Sequence, residues 1–215
     1  MPSFIDEMST NTQTETRISG VAVAQVISNL DATGGGRVQL KLPWLPGFEP
    51  WARVAVLLAG MNTGTYFIPQ VGDEVLVAFE QGDVRQPFVI GCLWNASDTP
   101  PASSPLDPVA KRIIRTPLGH VMEFDDTLQS VTITTLTQQT IKMDATQIQL
   151  STTGGTASVT MDVSGSIKLE AAVSIELKAP SITLDGLNVT VKGSASTSVE
   201  GGATCSIQAG LVKIN

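Results

Sequence analysis

The C-terminal half of the chain is a repeat of short apolar pairs, and this feature constrains the fold most. From Val131 onward apolar residues stand two apart: Val131/Ile133, Ile141/Met143, Ile148/Leu150, Val159/Met161/Val163, Ile167/Leu169, Ile175/Leu177, Ile182/Leu184, Val189/Val191, then Val199, Ile207 and Val212/Ile214. Alternation with period two puts apolar side chains on one face of a strand and polar ones on the other. Along Ile167, Ile175, Ile182, Val191, Val199, Ile207 and Ile214 the steps are 8, 7, 9, 8, 8 and 7 residues. Each unit is one short strand with small or polar residues at its end. Stacked units of this kind build a solenoid or prism.

Composition limits what can hold such a stack together. Residues 125–215 contain no aromatic side chain, and residues 127–215 hold 26 Ser or Thr in 89 positions. Large aromatic anchors of a compact core are therefore missing. A unit of about eight residues is too short for a whole coil of a three-faced single-chain β-helix but long enough for one face. Three chains wound together can each supply a face per layer and leave no open edge. The pattern predicts a homotrimeric needle, an intertwined triple-stranded β-helix over residues 127–215. Its axis would be lined by Ile167, Ile175, Ile182, Val191, Val199 and Ile207, with Cys205 on the same stripe as a small hydrophobe. About eleven strands at about 4.8 Å give a rod on the order of 50 Å long.

The preceding half reads as a small β domain, which makes the fold class all-β. Val21–Ile27 is a β-rich run, Asp31-Ala-Thr-Gly-Gly-Gly36 a turn, and Arg37–Leu42 alternates polar and apolar residues. Trp51–Leu58 is an apolar strand ended by Ala59-Gly60, and Val75–Phe79 and Pro87–Trp94 complete a set suited to a small barrel. No amphipathic helix is evident. Residues 95–110, with Pro100, Pro101, Pro105 and Pro108, form an extended linker. The expected domains are an N-terminal arm at 1–16, the barrel at 17–95, the linker and entry to the repeat at 96–126, and the repeat at 127–215.

Most functional classes are disfavoured. Thirteen basic against 20 acidic residues give a net charge of −7, where a nucleic-acid binder needs a basic face. Trp44, Trp51 and Tyr66 could stack on bases, but the charge balance assigns them to the barrel or its contacts. One histidine and two cysteines, Cys92 and Cys205, leave no metal motif, no CxxC pair and no disulfide framework. His120 follows Gly119 at a strand start and reads as structural, and a Ser-His-Asp triad is improbable with it alone. Asp125-Asp126, Asp73-Glu74 and Asp83 read as turn residues. Gly34-Gly35-Gly36 lacks the Lys-Ser/Thr of a phosphate loop. No catalytic, cofactor or metal residue is expected. The longest apolar run, Val54–Ala59, falls far short of the roughly 20 residues that span a membrane. The polar, acidic first 16 residues do not resemble a cleaved secretory signal.

Long strings in the barrel half carry a specific resemblance. They are Arg17-Ile-Ser-Gly-Val-Ala-Val-Ala-Gln-Val26, Gly36-Arg-Val-Gln-Leu-Lys-Leu-Pro-Trp44, Trp51-Ala-Arg-Val-Ala55, Gly64-Thr-Tyr-Phe-Ile-Pro-Gln-Val-Gly-Asp-Glu-Val-Leu-Val-Ala-Phe79 and Gly82-Asp-Val-Arg-Gln-Pro-Phe-Val-Ile-Gly-Cys-Leu-Trp-Asn95. Residues 17–95 resemble the OB-fold domain of phage baseplate assembly protein V and VgrG spikes, and Gly119–Asp126 resembles that family's entry into its triple-stranded β-helix.

The resemblance implies the central spike of a contractile injection machine, a trimer at the end of the inner tube that pierces the target envelope. Such a protein is made in the bacterial cytoplasm and resides in the assembled virion or phage tail-like particle, touching the target membrane only on firing. The chain has no room for the hub domains that VgrG carries ahead of its OB fold, which implies a separate hub protein on the N-terminal side. With His120 placed before the repeat, the His-x-His iron apex of some phage spikes is not expected. The end Leu211-Val-Lys213-Ile214-Asn215 resembles the blunt end of a VgrG needle and implies a PAAR-type tip protein seated on Leu211, Val212, Lys213, Ile214 and Asn215. The alternative is a trimeric tail-fibre or adhesin stalk that binds a surface receptor. Such a stalk should carry an aromatic-rich distal head, which residues 125–215 lack. A β-helical glycan-cleaving enzyme would need clustered carboxylates, whereas these are scattered.

Overall fold

A computed structural model describes residues 17–102 and 104–213 of the chain. The N-terminal arm expected at 1–16, together with Ile214 and Asn215, lies outside the described residues.

Alternation in the first half closes a barrel. Strands β1 (Val21–Ser28), β2 (Val38–Lys41), β3 (Trp51–Val54), β6 (Glu74–Phe79) and β7 (Pro87–Cys92) join in the order β1-β2-β3-β7-β6, with β1 pairing both β2 and β6. All pairs are antiparallel except β3 with β7. A closed five-stranded barrel of this kind is OB-like. Every second residue points inward: Ala24 and Val26, Val38 and Leu40, Val75 and Val77, all at 0–1% exposure. Arg17 bridges to Asp83 beside the barrel.

The apolar strand expected over Trp51–Leu58 stops at Val54. Beyond it the chain leaves the barrel as an arm whose hairpin joins β4 (Ala59–Gly60) to β5 (Thr63–Gly64). Gly64 sits at φ +146°, where a Cβ would lie 2.4 Å from the Leu58 carbonyl oxygen, so only glycine closes this turn. Leu57 and Met61 on the arm are more than nine-tenths exposed.

The linker contains one helical turn, α1 (Asp107–Ala110), too short to leave a periodic signal in the sequence. Pairing begins directly after it, within the 96–126 stretch of linker and entry to the repeat. Strands β8 (Lys111–Arg115), β9 (Val121–Asp125), β10 (Ser130–Thr134), β11 (Thr140–Met143), β12 (Gln147–Ser151), β13 (Ala157–Asp162) and β14 (Ile167–Ala171) form one seven-stranded antiparallel sheet in sequence order. Over 127–171 the repeat units are thus hairpins of a single chain. From Ala172 to Lys213 no strand is assigned, and all these residues are exposed.

Candidate functional site

From β9 to β14 the sheet has one apolar and one polar face, fixed by its register; on β8 Arg112 stands opposite Phe124 and Ile113 opposite Glu123, so the pattern breaks there. Residues Phe124, Val131, Met143, Ile148, Met161 and Ile167 stand opposite one another from β9 to β14. Residues Met122, Ile133, Ile141, Leu150, Val159 and Leu169 form a second row. The rows are two positions apart on every strand, so they share a face. Between them Glu123, Thr132, Lys142, Gln149, Thr160 and Lys168 point the other way.

The polar face holds short ion pairs. Lys111 Nζ lies 3.0 Å from Glu123, 3.7 Å from Asp125 and 4.0 Å from Asp107, and Lys142 pairs with Asp144 at 3.2 Å and Lys168 with Glu170 at 2.8 Å. The hydrogen-bonded carboxylate of Glu123 raises the Lys111 ammonium above its ordinary value. Among the described residues nothing fully covers the apolar face. Ile141, Met143, Ile148 and Leu150 stay 40–41% exposed at the centre of the sheet. A groove of about 490 Å³ runs over Ile133, Ile141, Leu150, Val159 and Leu169 to Ile175. A contiguous apolar surface of this kind marks an interaction face.

The second unsatisfied element is the chain beyond the sheet. The last backbone hydrogen bond of a turn or loop among the described residues runs from the Ala172 N–H to the Thr156 carbonyl, 2.8 Å. From Val173 to Lys213 an alternating chain, including Ile175, Leu177, Ile182, Leu184, Val189 and Val191, forms no strand, bends at 173, 180, 187, 194–195, 202–203 and 210, and leaves its apolar side chains exposed. Of the residues expected on the trimer axis, Ile167 belongs to the apolar face of the sheet, whereas Ile175, Ile182, Val191, Val199 and Ile207 lie in this exposed segment. Leu211, Val212 and Lys213, expected to meet a tip protein, are exposed at its end.

The remaining sequence candidates resolve into turns and packing. The Asp31 carboxylate accepts the Thr33, Gly35 and Arg37 amides at 3.0, 3.1 and 3.2 Å, so the glycine turn already directs its donors inward. The Arg37 guanidinium holds the Asp31 carboxyl well below the usual range and also lies 5.7 Å over the Trp51 ring. Asp125, almost fully buried, accepts the Leu128 amide at 2.9 Å. Asp73 accepts the Gln70 amide at 2.8 Å, and Asp83 binds the Arg85 amide and guanidinium. His120 is exposed and receives the Leu136 amide at 3.4 Å. Cys92 is exposed on β7, and desolvation raises its thiol. Trp44 meets Phe79 edge to face at 6.1 Å. Tyr66 does not pack the barrel: it is 81% exposed beside the arm, because the chain has left the sheet there. Among the described residues no group of three His, Cys, Asp or Glu could hold a metal ion, and no helix is long and apolar enough to cross a membrane.

Known proteins match the same regions. Residues 22–94 match the sequence family of the type VI secretion system/phage-baseplate injector OB domain. The type VI secretion system spike protein VgrG3 of Vibrio cholerae serotype O1 is 38% identical over 87 residues, covering 38% of this chain and 8% of the relative. The spike protein VgrG2a of Pseudomonas aeruginosa is 30% identical over 129 residues, 54% of this chain and 15% of its own length. The spike protein VgrG1a of the same organism is 42% identical over 55 residues, 26% of this chain and 9% of its own length. These matches span only a small part of each curated relative. The closed barrel and the matches to it agree: residues 22–94 are similar to the injector OB domain of the type VI secretion system/phage baseplate, and part of the chain is similar to VgrG-type spike proteins.

Proposed function

We propose that the chain is the central spike of a contractile injection machine, a structural rather than catalytic part. The observation that carries this reading is the apolar face of strands β9–β14, joined to an alternating segment that makes no strand in a single chain. Three copies packed apolar face to apolar face form a closed three-sided prism with the Lys, Glu and Thr rows outside. The segment 172–213 then continues the prism as an intertwined triple-stranded β-helix, in which each strand finds its backbone partners on another copy. Ile167, Ile175, Ile182, Val191, Val199 and Ile207 line the shared axis.

The shaft suits transit through an envelope. It has no aromatic residue beyond Phe124 and few charges. Interlocked chains also unfold slowly, so the rod keeps its shape under load. In this reading the OB barrel seats on a baseplate hub, and Leu211, Val212 and Lys213, with Ile214 and Asn215, receive a PAAR-type tip.

Co-expression with a PAAR-type cone protein tests the role. The expected result is a complex of three chains and one cone, lost in Val212→Asp while the three-chain rod persists. A rod that ignores cone proteins and instead binds cell-surface glycans would overturn this reading in favour of an adhesin stalk.

A further inference from the structure

The chain pairs with itself through β14 and then stops, although the apolar alternation continues unbroken through Ile175 and Leu177. The turns explain the stop. Loops 117–119, 136–138 and 163–165 share one closing pattern. The residue before each loop, Thr116, Thr135 or Asp162, donates its amide to the residue after it, and the last loop residue donates back. That last residue is left-handed in each: Gly119 at φ +96°, Gln138 at +62° and Gly165 at +89°. This is the three-residue hairpin loop that reverses a strand without changing its face. The β9–β10 turn has Gln129 and the β12–β13 turn Gly154 and Gly155 in the same conformation. The β11–β12 turn is instead held by Asp144, which accepts the Thr146 and Gln147 amides.

The stretch after β14 has neither device. A loop at 172–174 would bring Leu169 opposite Leu177 and Glu170 opposite Glu176, so the apolar pattern alone permits a further hairpin. Yet Ala171-Ala-Val-Ser174 contains no Gly, Asn or Asp. No described residue beyond Gly165 has a left-handed φ.

We infer that the turn residues set the exchange of partners along the shaft: Gly165 supplies the last reversal, and without one at 171–174 the free edge of β14 receives its next strand from a second copy of the chain. The occupant is a second copy because, among the described residues, the unpaired alternating segment that could supply such a strand is this chain's own 173–213. The inference rests on the three-chain shaft of the proposed function, and it adds which residues choose between pairing within and between copies.

The test is a disulfide assay in the full chain with Cys92→Ser and Cys205→Ser. Glu170→Cys is combined in turn with Ser174→Cys, Glu176→Cys and Lys178→Cys, the outward-facing positions of the next strand. Oxidation is expected to join different copies. The chain's own loop is then transplanted, with Ala171→Asp, Ala172→Val, Val173→Ser and Ser174→Gly reproducing Asp162-Val-Ser-Gly165. In that background the Glu170→Cys/Glu176→Cys disulfide is expected within one copy, with loss of the joined species.

Cross-copy disulfides that persist after the transplant overturn the inference. So do within-copy disulfides in the parent, or none at any of the three pairs. Native mass separates the two readings: a trimer with within-copy disulfides sinks only the inference, and a monomer sinks the shaft as well. Should the transplant not fold, as judged by hydrogen exchange in β8–β13, Gly165→Val with Thr160→Cys and Lys168→Cys makes the converse test. These residues are opposite one another in the hairpin, and their disulfide should move from within a copy to between copies. Its staying within one copy overturns the inference.

Discussion

Leu150→Asp probes the apolar face where the register is fixed within one chain. Leu150 lies on β12 between Ile141 and Val159, and 41% of it remains exposed in a single copy. Full burial of a leucine is worth about 1.5–3 kcal/mol, so covering the remainder contributes about 1 kcal/mol per copy and about 3 kcal/mol per trimer. Aspartate loses that gain and brings three unpaired carboxylates onto an apolar axis, at an effective penalty of several kcal/mol each. The total is on the order of 10 kcal/mol against assembly, or roughly seven powers of ten in the association constant. Light scattering and unheated SDS gels should therefore show a monomer. Gln149→Asp, one residue earlier, faces the opposite side beside Lys142 and should leave the trimer within about 0.5 kcal/mol of the parent, as surface changes usually do. A normal trimer from Leu150→Asp, or a monomer from Gln149→Asp, would refute the assignment of faces.

Three further outcomes follow from the barrel and the turns. Leu40→Ala empties a site at 0% exposure and should destabilise the barrel by about 2–5 kcal/mol, lowering the tryptophan fluorescence melt while the trimer mass is unchanged. Gly64→Ala, with its Cβ 2.4 Å from the Leu58 oxygen, should cost about 1–3 kcal/mol and speed amide exchange over residues 58–65. Acid should weaken the fold in a defined window. The Arg85 guanidinium lowers Asp83 to about 2, the Thr146 hydroxyl holds Asp144 and the Ser164 hydroxyl holds Asp162 below the usual range. Groups depressed in the folded state stabilise it above the ordinary carboxylate value, about 4, and lose that contribution as pH falls. The melting temperature should hold from pH 7 to 5 and drop between about pH 4 and 2, with a smaller drop in Asp83→Asn; a melt unchanged over that range contradicts the turn assignments.

The sequence carried faces better than partners. Period-two alternation identified Val38 and Leu40, Ile141 and Met143, Ile148 and Leu150 as inward or same-face residues, because side-chain direction is local to a strand. Which strand pairs with which depends on turn backbone conformation, and Gln129 and Gln138 at positive φ are not obvious from residue type. For that reason the hairpins of 111–171 were not distinguishable from the single strands expected throughout the repeat. The arm around Leu57, Met61 and Tyr66 is not legible in the sequence because its apolar composition imitates a buried strand. Pro108 inside α1 and the prolines before it belong to the stretch 95–110, and β8 starts directly after it. The motif strings of the barrel are the most specific signal: the barrel strands overlap them, and the injector-domain match at 22–94 spans nearly all of them.

The native mass of the full chain, taken by light scattering and checked by resistance of the unheated protein to SDS, tests the shaft most directly. The shaft described here requires an SDS-resistant species of three times 22.6 kDa. A stable monomer with residues 173–213 exchanging freely would contradict it.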